Sequence, residues 1–341
     1  MNRSPLALPI LSNNQVSATA NYIVSIQAKD GCIAWFKDGH MDPWDHTEAA
    51  MGLASCGRIE EAMRAYDFLA EMQTPTGGWY ATYEFGKPKD QSRMESNFIA
   101  YVATGIWHLY LVTQNRTVVE RYWAMVEQAV ELVIDMQGPM GEICWAIDSV
   151  KGLQEDALVT GSSSIYHSLG SAISLAKVKG IDCGHWVTAR AKLKRALIDH
   201  PEAFDRTWES KARFSMDWFY PVLTGVLTGD SARERINERW DEFVVDQLGC
   251  RCVNDEPWVT VAESCELVMA LMAIGDRKRA TEIFQWIQSY RDDEGAYWTG
   301  YVFRDQAIWP EERTTWTAGA VLLAADALDA RSNAYQLFGP H

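Results

Sequence analysis

The chain has 341 residues, enough for one large domain or two ordinary ones, and it is 48% hydrophobic and 23% charged, an ordinary globular mixture. Its 46 acids against 31 bases leave a net charge of −15 with no Lys/Arg cluster, which argues against nucleic acid and anionic membrane surfaces as partners. Fifteen Trp and thirteen Tyr are the outlier; so many rings point to a large aromatic core, a ring-lined cavity, or both.

In chain order, residues 1–16 carry a single Arg3, and Pro5, Pro9, Asn13 and Asn14 interrupt their apolar residues, which is not the pattern of a signal peptide. No later stretch approaches the roughly 20 apolar residues of a spanning helix. The seven cysteines are an odd count, and Cys250 and Cys252 lack a second pair at zinc spacing. Buried reduced thiols in a cytoplasmic protein are therefore expected, with no metal site and no cofactor, although the acids described below could hold Ca²⁺.

From residue 13 onward amphipathic helical periodicity dominates, and strand-type alternation is limited to short pieces such as 79–83. A first helix covers 13–27. Six helices rich in small and apolar residues follow at 43–55, 92–112, 158–178, 218–228, 257–274 and 310–328. Between them run helices with one charged face, at 58–72, 118–136, 186–198, 231–247 and 278–289. A recurring turn joins the two kinds: Gln73, Gly77 and Trp79 form its clearest copy, and Gln27/Gly31/Trp35, Gln137/Gly141/Trp145 and Gln288/Gly295/Trp298 are looser ones. One hairpin cannot bury its apolar stripe alone, whereas stacked neighbours can. The expected fold is all-α, an (α/α)6 toroid over residues 1–341 as one domain, with the N-terminal helix closing the ring. The weakest points in the pattern are the loop 86–90 and the stretch 248–255.

Inner helices of a toroid start on the same side, so their N-termini ring one end of a funnel. Reading those starts gives Asp42-Pro43-Trp44-Asp45-His46, then Arg93-Met94-Glu95, Glu155-Asp156, Asp217-Trp218-Phe219-Tyr220, Glu256-Pro257-Trp258 and Trp309-Pro310-Glu311-Glu312. Asp, Pro and acid at a helix start are also ordinary capping chemistry. Glu263 fits that reading least, since it falls about two turns inside an apolar helix, where a carboxylate must be paired or protonated. Glu266, one turn on, shares its face and could raise its pKa.

Aromatic rings with carboxylates suit sugars, whose C–H faces stack while their hydroxyls need polar partners. Glycoside hydrolysis uses two carboxyls, one protonating the leaving oxygen and the other activating water or attacking. The best pair is Asp45 and Glu263. Asp42, Asp156, Asp217 and Glu312 are reserves at the mouth, Trp44, Tyr220, Trp258, Trp309 and Trp316 are candidate sugar platforms, and His46 could tune Asp45 or bind substrate. The partner is then an oligosaccharide; oligomeric state has no sequence signal.

The Gln73/Gly77/Trp79 turn resembles the repeat of squalene–hopene cyclases and related prenyltransferase toroids, where it implies architecture. The cyclase D-x-D-D motif has no match in Asp42-Pro43-Trp44-Asp45, and the prenyltransferase zinc set has no clear counterpart. The length, the segment from Asp42 to Glu48 and the later Val261-Ala262-Glu263-Ser264 resemble the toroidal hydrolases of mycobacterial methylmannose polysaccharides, which are α-endomannosidases. That resemblance implies hydrolysis of internal α-linkages by one acid near the N-terminus and one in the late helical region, carried here onto Asp45 and Glu263, with Asp42 or Glu266 as other counterparts. The alternatives are an isoprenoid cyclase with Asp42 or Asp45 as the protonating acid, and a toroid that binds sugar or peptide without turnover.

Overall fold

The computed structural model describes residues 9–340; the first eight residues of the segment read above as no signal peptide lie outside it. Six helices form a closed inner ring: α2 (Pro43–Ser55), α4 (Ser96–Thr113), α6 (Val159–Lys179), α8 (Ser215–Leu223), α11 (Val261–Ala273) and α13 (Thr315–Asp329). Each packs on the next in that order, and α13 packs back on α2. The outer layer is α1 (Asn13–Ile26), α3 (Ile59–Met72), α5 (Arg116–Asp135), α7 (Gly184–Asp199), α9 (Gly229–Glu238) and α12 (Arg277–Trp286), with a short α10 (Trp240–Phe243) beside α9. The (α/α)6 toroid is thus the fold, and α1 packs against α13 as its outer partner.

Burial separates the layers as the sequence pattern requires. In α2, 12 of 13 residues are buried, so it has no solvent-facing side. In α3 only 5 of 14 are, along one stripe. The core runs continuously through both layers, with Trp79, Trp186 and Trp218 among its largest fully buried side chains.

The glutamine turns join the outer helices. Gln73 donates from Nε2 to the carbonyl of its own turn at Gly77 (2.8 Å) and to the Met125 carbonyl of α5 (2.9 Å). Gln27 makes the same pair of bonds to Gly31 and to Glu61 of α3, and Gln137 to Gly141 and Ala189 of α7. At each turn the glycine has φ near +96 to +98° and lies so close to the next outer helix that a Cβ on Gly77 would sit 2.4 Å from the Gln128 oxygen. The fourth copy differs: Gln288 bonds within its own helix end, to Phe284. Gly295 instead rests on Ala18 of α1, and its carbonyl accepts from Thr19 Oγ1 at 2.8 Å.

Eleven short strands, more than the sequence pattern suggests, lie among the described residues. They form β1-β2-β3 (His40–Met41, Tyr83–Glu84, Lys87–Pro88), β4-β5-β6 (Arg93–Glu95, Ala146–Asp148, Gly152–Gln154) and the five-stranded β11-β10-β9-β8-β7 (Ala307–Ile308, Gly300–Val302, Trp258–Thr260, Gly249–Arg251, Val244–Val245). These strands correct the expected helix starts. Residues 93–95 and 258–260 are extended, because β4 bonds to β5 and β9 to β8 and β10, and α13 starts at Thr315 rather than Pro310. The helix expected at 231–247 stops early because Val244 and Val245 pair with Cys250 and Gly249, and α8 begins three residues before Trp218. The loops 86–90 and 248–255 hold β3 and β8. Beyond α13 the chain turns back, and the His167 Nε2 lies 3.0 Å from the Leu337 carbonyl while its ring packs on Phe338 at 4.7 Å. This tail stoppers the axis at the end away from the strands.

Replacing Gly77 by Ala combines left-handed strain with a forced shift of α5 and is expected to cost about 2–5 kcal/mol. Gly57→Ala is the control. Gly57 also has positive φ, at 81°, but nothing lies within 4 Å of an added Cβ, so about 1–2 kcal/mol is expected. Urea unfolding of the two variants measures the difference.

Candidate active site

Counting from the first residue of each inner helix puts equivalent side chains at equivalent depth. The third residues are Asp45, Phe98, Gly161, Asp217, Glu263 and Thr317; the sixth are Glu48, Tyr101, Ser164, Tyr220, Glu266 and Ala320. Three residues amount to about 4.5 Å of helical rise. Five of the six deeper side chains line one small enclosed cavity on the axis. Glu263 therefore belongs to the first turn of α11, not to its interior, because β9 occupies residues 258–260.

Asp42 and Asp45 divide the work of one helix start. Asp42 caps α2: its Oδ1 accepts from the Asp45 backbone N–H at 3.0 Å and its Oδ2 from the Trp35 indole at 2.8 Å. It also accepts from the Asp45 carboxyl. Burial pushes both carboxyls up, Asp45 well up, since the Asp42 charge beside it adds to the effect and Glu48 and Glu266 reinforce it. The proton of the pair belongs on Asp45, because Asp42 has its acceptor positions filled by N–H donors. Asp45 is only partly exposed, at the foot of the funnel.

Glu263 is 7% exposed and takes a hydrogen bond from the Cys252 thiol. One turn below, Tyr101 donates to Glu48 Oε2 at 2.6 Å and Tyr220 donates to Glu266 Oε1. Burial raises Glu48 to about 7, against the relief its tyrosine gives. Burial and then the Glu48 charge push Glu266 well up. Trp44 lies over this layer with ring centroids 5.1 Å from Tyr101 and 5.9 Å from Tyr220. The groups that chiefly shift Asp42, Asp45, Glu48 and Glu266 include no lysine or arginine.

Asp42 and Asp45 thus stand together, Trp44 packs on Tyr220, and Glu263 stands one turn above Glu266 on α11. Two expected residues have other work. His46 is 1% exposed, and both of its ring nitrogens are engaged: Nδ1 accepts from the Ile33 N–H at 3.1 Å and Nε2 bonds the Ala65 carbonyl at 2.9 Å. One residue beyond Asp45 is 100° around the helix, so His46 faces α3, and burial lowers its pKa to about 4. Asp156 accepts from the backbone N–H of Arg206 and Thr207 and from the Thr207 hydroxyl. Despite burial these bonds hold its carboxyl below the ordinary range, so it anchors the 206–207 loop.

Asp217 accepts from Thr160 at 3.4 Å, and burial, then the Asp205 charge, raise it to about 6; the charges that act on it are Asp205 and Arg235, not the acids of α2 and α11. Trp258 and Trp309 form a T-shaped pair at 5.1 Å, locked by the Trp258 indole on the Trp309 carbonyl, with Trp309 55% exposed. Trp258 opens β9 and Trp309 follows β11, so neither is at a helix start. Trp316 neighbours Trp35 at 6.2 Å. Glu312 contributes its backbone carbonyl to Thr299 in the loop before α13. The residues missed are Glu48, Tyr101 and Trp35. Glu48 carried a signal, the three-residue step from Asp45 that Glu266 repeats from Glu263. Among the described residues no group of His, Cys, Asp and Glu is placed to hold a metal ion, and no helix is long and apolar enough to cross a membrane.

This toroid recurs in solved carbohydrate-active proteins. One is a glycosidase in complex with glucose (TM-score 0.75, 14% identity, 94% of this chain and 97% of that one) and another a D-mannose isomerase (TM-score 0.70, 11% identity, 96% and 100%). No family model matches the chain. It is, however, 49% identical over 319 residues, 94% of its own length and 87% of the relative's, to the MMP endo-(1,4)-3-O-methyl-alpha-D-mannosidase of Mycolicibacterium hassiacum. The chain belongs to that endo-α-mannosidase family and is a glycoside hydrolase that cleaves internal linkages, which sets aside the isoprenoid and non-catalytic readings.

The raised Glu48 carboxyl makes a testable contribution to stability. The unfolded chain ionises Glu48 from about pH 4.5 and the folded one from about 7, so between these values the unfolded state holds fewer protons and stability falls as pH rises. Glu48→Gln is expected to lessen that fall between about pH 5 and about pH 8 by about 2 kcal/mol, measured by urea unfolding beside the wild type.

Proposed function

We propose that the protein hydrolyses internal α-1,4 bonds of a 3-O-methylmannose oligo- or polysaccharide, with Asp45 as general acid and Glu263 as general base. The substrate follows from what the M. hassiacum relative is named for. The roles rest on one observation: Asp45 is bonded through its carboxyl to an Asp42 whose oxygens already accept two N–H groups. Asp45 therefore holds a proton at a pH where an ordinary aspartate has lost it, as an acid catalyst needs.

Asp45 passes its proton to the glycosidic oxygen as the C–O bond breaks. Glu263, on a helix separated from α2 by α13, takes a proton from the water that adds to the anomeric carbon from the other face. This two-sided arrangement inverts the anomer and calls for carboxyls roughly 6.5–9.5 Å apart. Trp309, half-exposed beside Trp258, offers a sugar ring a flat apolar face at the rim.

New reducing ends released from α-1,4-linked 3-O-methylmannose oligomers measure the activity, and the anomer first formed, read by NMR, is expected to be β. Asp45→Asn and Glu263→Gln are each expected to lower kcat about 10²–10⁴-fold. Full activity in both would overturn the site. Trp309→Ala is expected to raise KM by about three- to tenfold while kcat stays within about twofold.

A further inference from the structure

One turn beneath Asp45 and Glu263 lies a layer that the hydrolysis as written does not use. Glu48 and Glu266 are 2% and 3% exposed. Each has one oxygen held by a tyrosine, Tyr101 for Glu48 and Tyr220 for Glu266, and the Trp44 indole also favours the charged form of Glu48. The other oxygens, Glu48 Oε1 and Glu266 Oε2, have no partner within the protein, and neither does Ser164 Oγ, which is equally buried. All three residues line the same cavity. It has room for about one water, and a buried water needs two to four polar partners. Two bare carboxylates around so small a space cannot both stay ionised.

We propose that Glu48 and Glu266 are positioning residues for the hydrolysis: bridged by one buried water and sharing one proton, they keep a single negative charge beneath Asp45 and so hold Asp45 in its acid form. The proposal rests on Asp45 being the acid. The proton stays within the pair through the cycle, and the leaving oxygen receives the proton of Asp45 alone.

Most of the other groups around the pair are acids or neutral hydroxyls and thiols. On α2, Asp42 is a further acid. Tyr66 from α3, Tyr101 from α4 and Tyr220 from α8 are pushed up by burial and by neighbouring acids, and stay neutral. The thiols of Cys265 on α11 and of Cys250 and Cys252 on and after β8 are likewise raised. Glu263 lies above the pair. His167 of α6 reaches the cavity with its ring set between Thr104 and the Leu337 carbonyl. At this depth α13 presents Ala320.

Two measurements test the proposal independently. In the infrared spectrum of the unliganded protein near pH 7, the shared proton gives a carboxylic-acid carbonyl band that survives Asp45→Asn and moves in frequency in Glu48→Gln and in Glu266→Gln, where the one remaining buried carboxyl keeps the proton. No such band, or a band unchanged in frequency in both glutamine variants, would overturn the shared proton. In kcat/KM against pH on the 3-O-methylmannose oligomer, the alkaline limb reports loss of the Asp45 proton. Removing the charge below it should move that limb down by about one pH unit in each glutamine variant. Should either variant fail to fold, Tyr101→Phe is expected to move the limb the same way by less, because Glu48 then holds its proton more tightly. An unmoved limb in folded, active variants would overturn the coupling. If Asp45→Asn instead keeps full activity, the assignment of the acid fails, and with it the coupling to it, whatever the infrared band shows.

Discussion

One side-chain amide per turn governs how this ring is put together. The glutamine at the end of an outer helix donates two hydrogen bonds, one to its own turn and one to the next outer helix. The glycine between them lets the turn lie flat on that helix. The bonds from Gln27, Gln73 and Gln137 link α1 to α3, α3 to α5 and α5 to α7. A turn fixed at both ends sets where α2, α4 and α6 can begin, while β9 sets the start of α11. Levelled starts make the third and the sixth residues of each inner helix into tiers, and those tiers are the candidate site. Only where this register is kept does a carboxyl on α2 stand at the height of one on α11.

The tiers pose an electrostatic problem that the chain solves without lysine or arginine. Several carboxyls meet at the axis, and their main neighbours are one another, phenols, two indoles and the His40 imidazole. A group of like charges in a dry place holds protons instead of ionising. The donors decide which members keep the charge: Asp42 has N–H groups on both oxygens and Asp45 has none, so two identical side chains three residues apart have opposite protonation. An arrangement built only from lysine–carboxylate pairs would leave every acid ionised and none able to donate.

The order and kind of the helices were legible because burial on all sides and burial on one stripe leave different periodicities, and α2 and α3 show both. Asp45 and Glu263 drew notice because a carboxyl among apolar residues demands a reason, although Glu263 opens α11 and does not lie inside it. The strands were not, since pieces of two or three residues owe their shape to partners distant in sequence: β4 is extended only because residues 146–148 lie beside it. The same pairing turned Glu256-Pro257-Trp258 from an apparent helix start into a strand entrance. His46 misled for a related reason. Adjacency to Asp45 in sequence is a right angle in space, and its ring serves the α2–α3 contact. Glu48 and Tyr101 escaped notice because depth along the axis is visible only after six helices are aligned.

The layer outside α13 is supplied by α1, nearly three hundred residues earlier. Their junction is tied by the Ile10 backbone N–H on Asp329 Oδ2 at 3.0 Å and by Thr19 on the Gly295 carbonyl. During synthesis α1 therefore emerges before the other helices of the ring and waits longest of them. Its apolar stripe stays open until the last inner helix clears the exit tunnel, and contacts of such sequence separation form slowly. The seam of the ring is where nascent chains of this protein are most exposed to chaperones, to proteases and to one another.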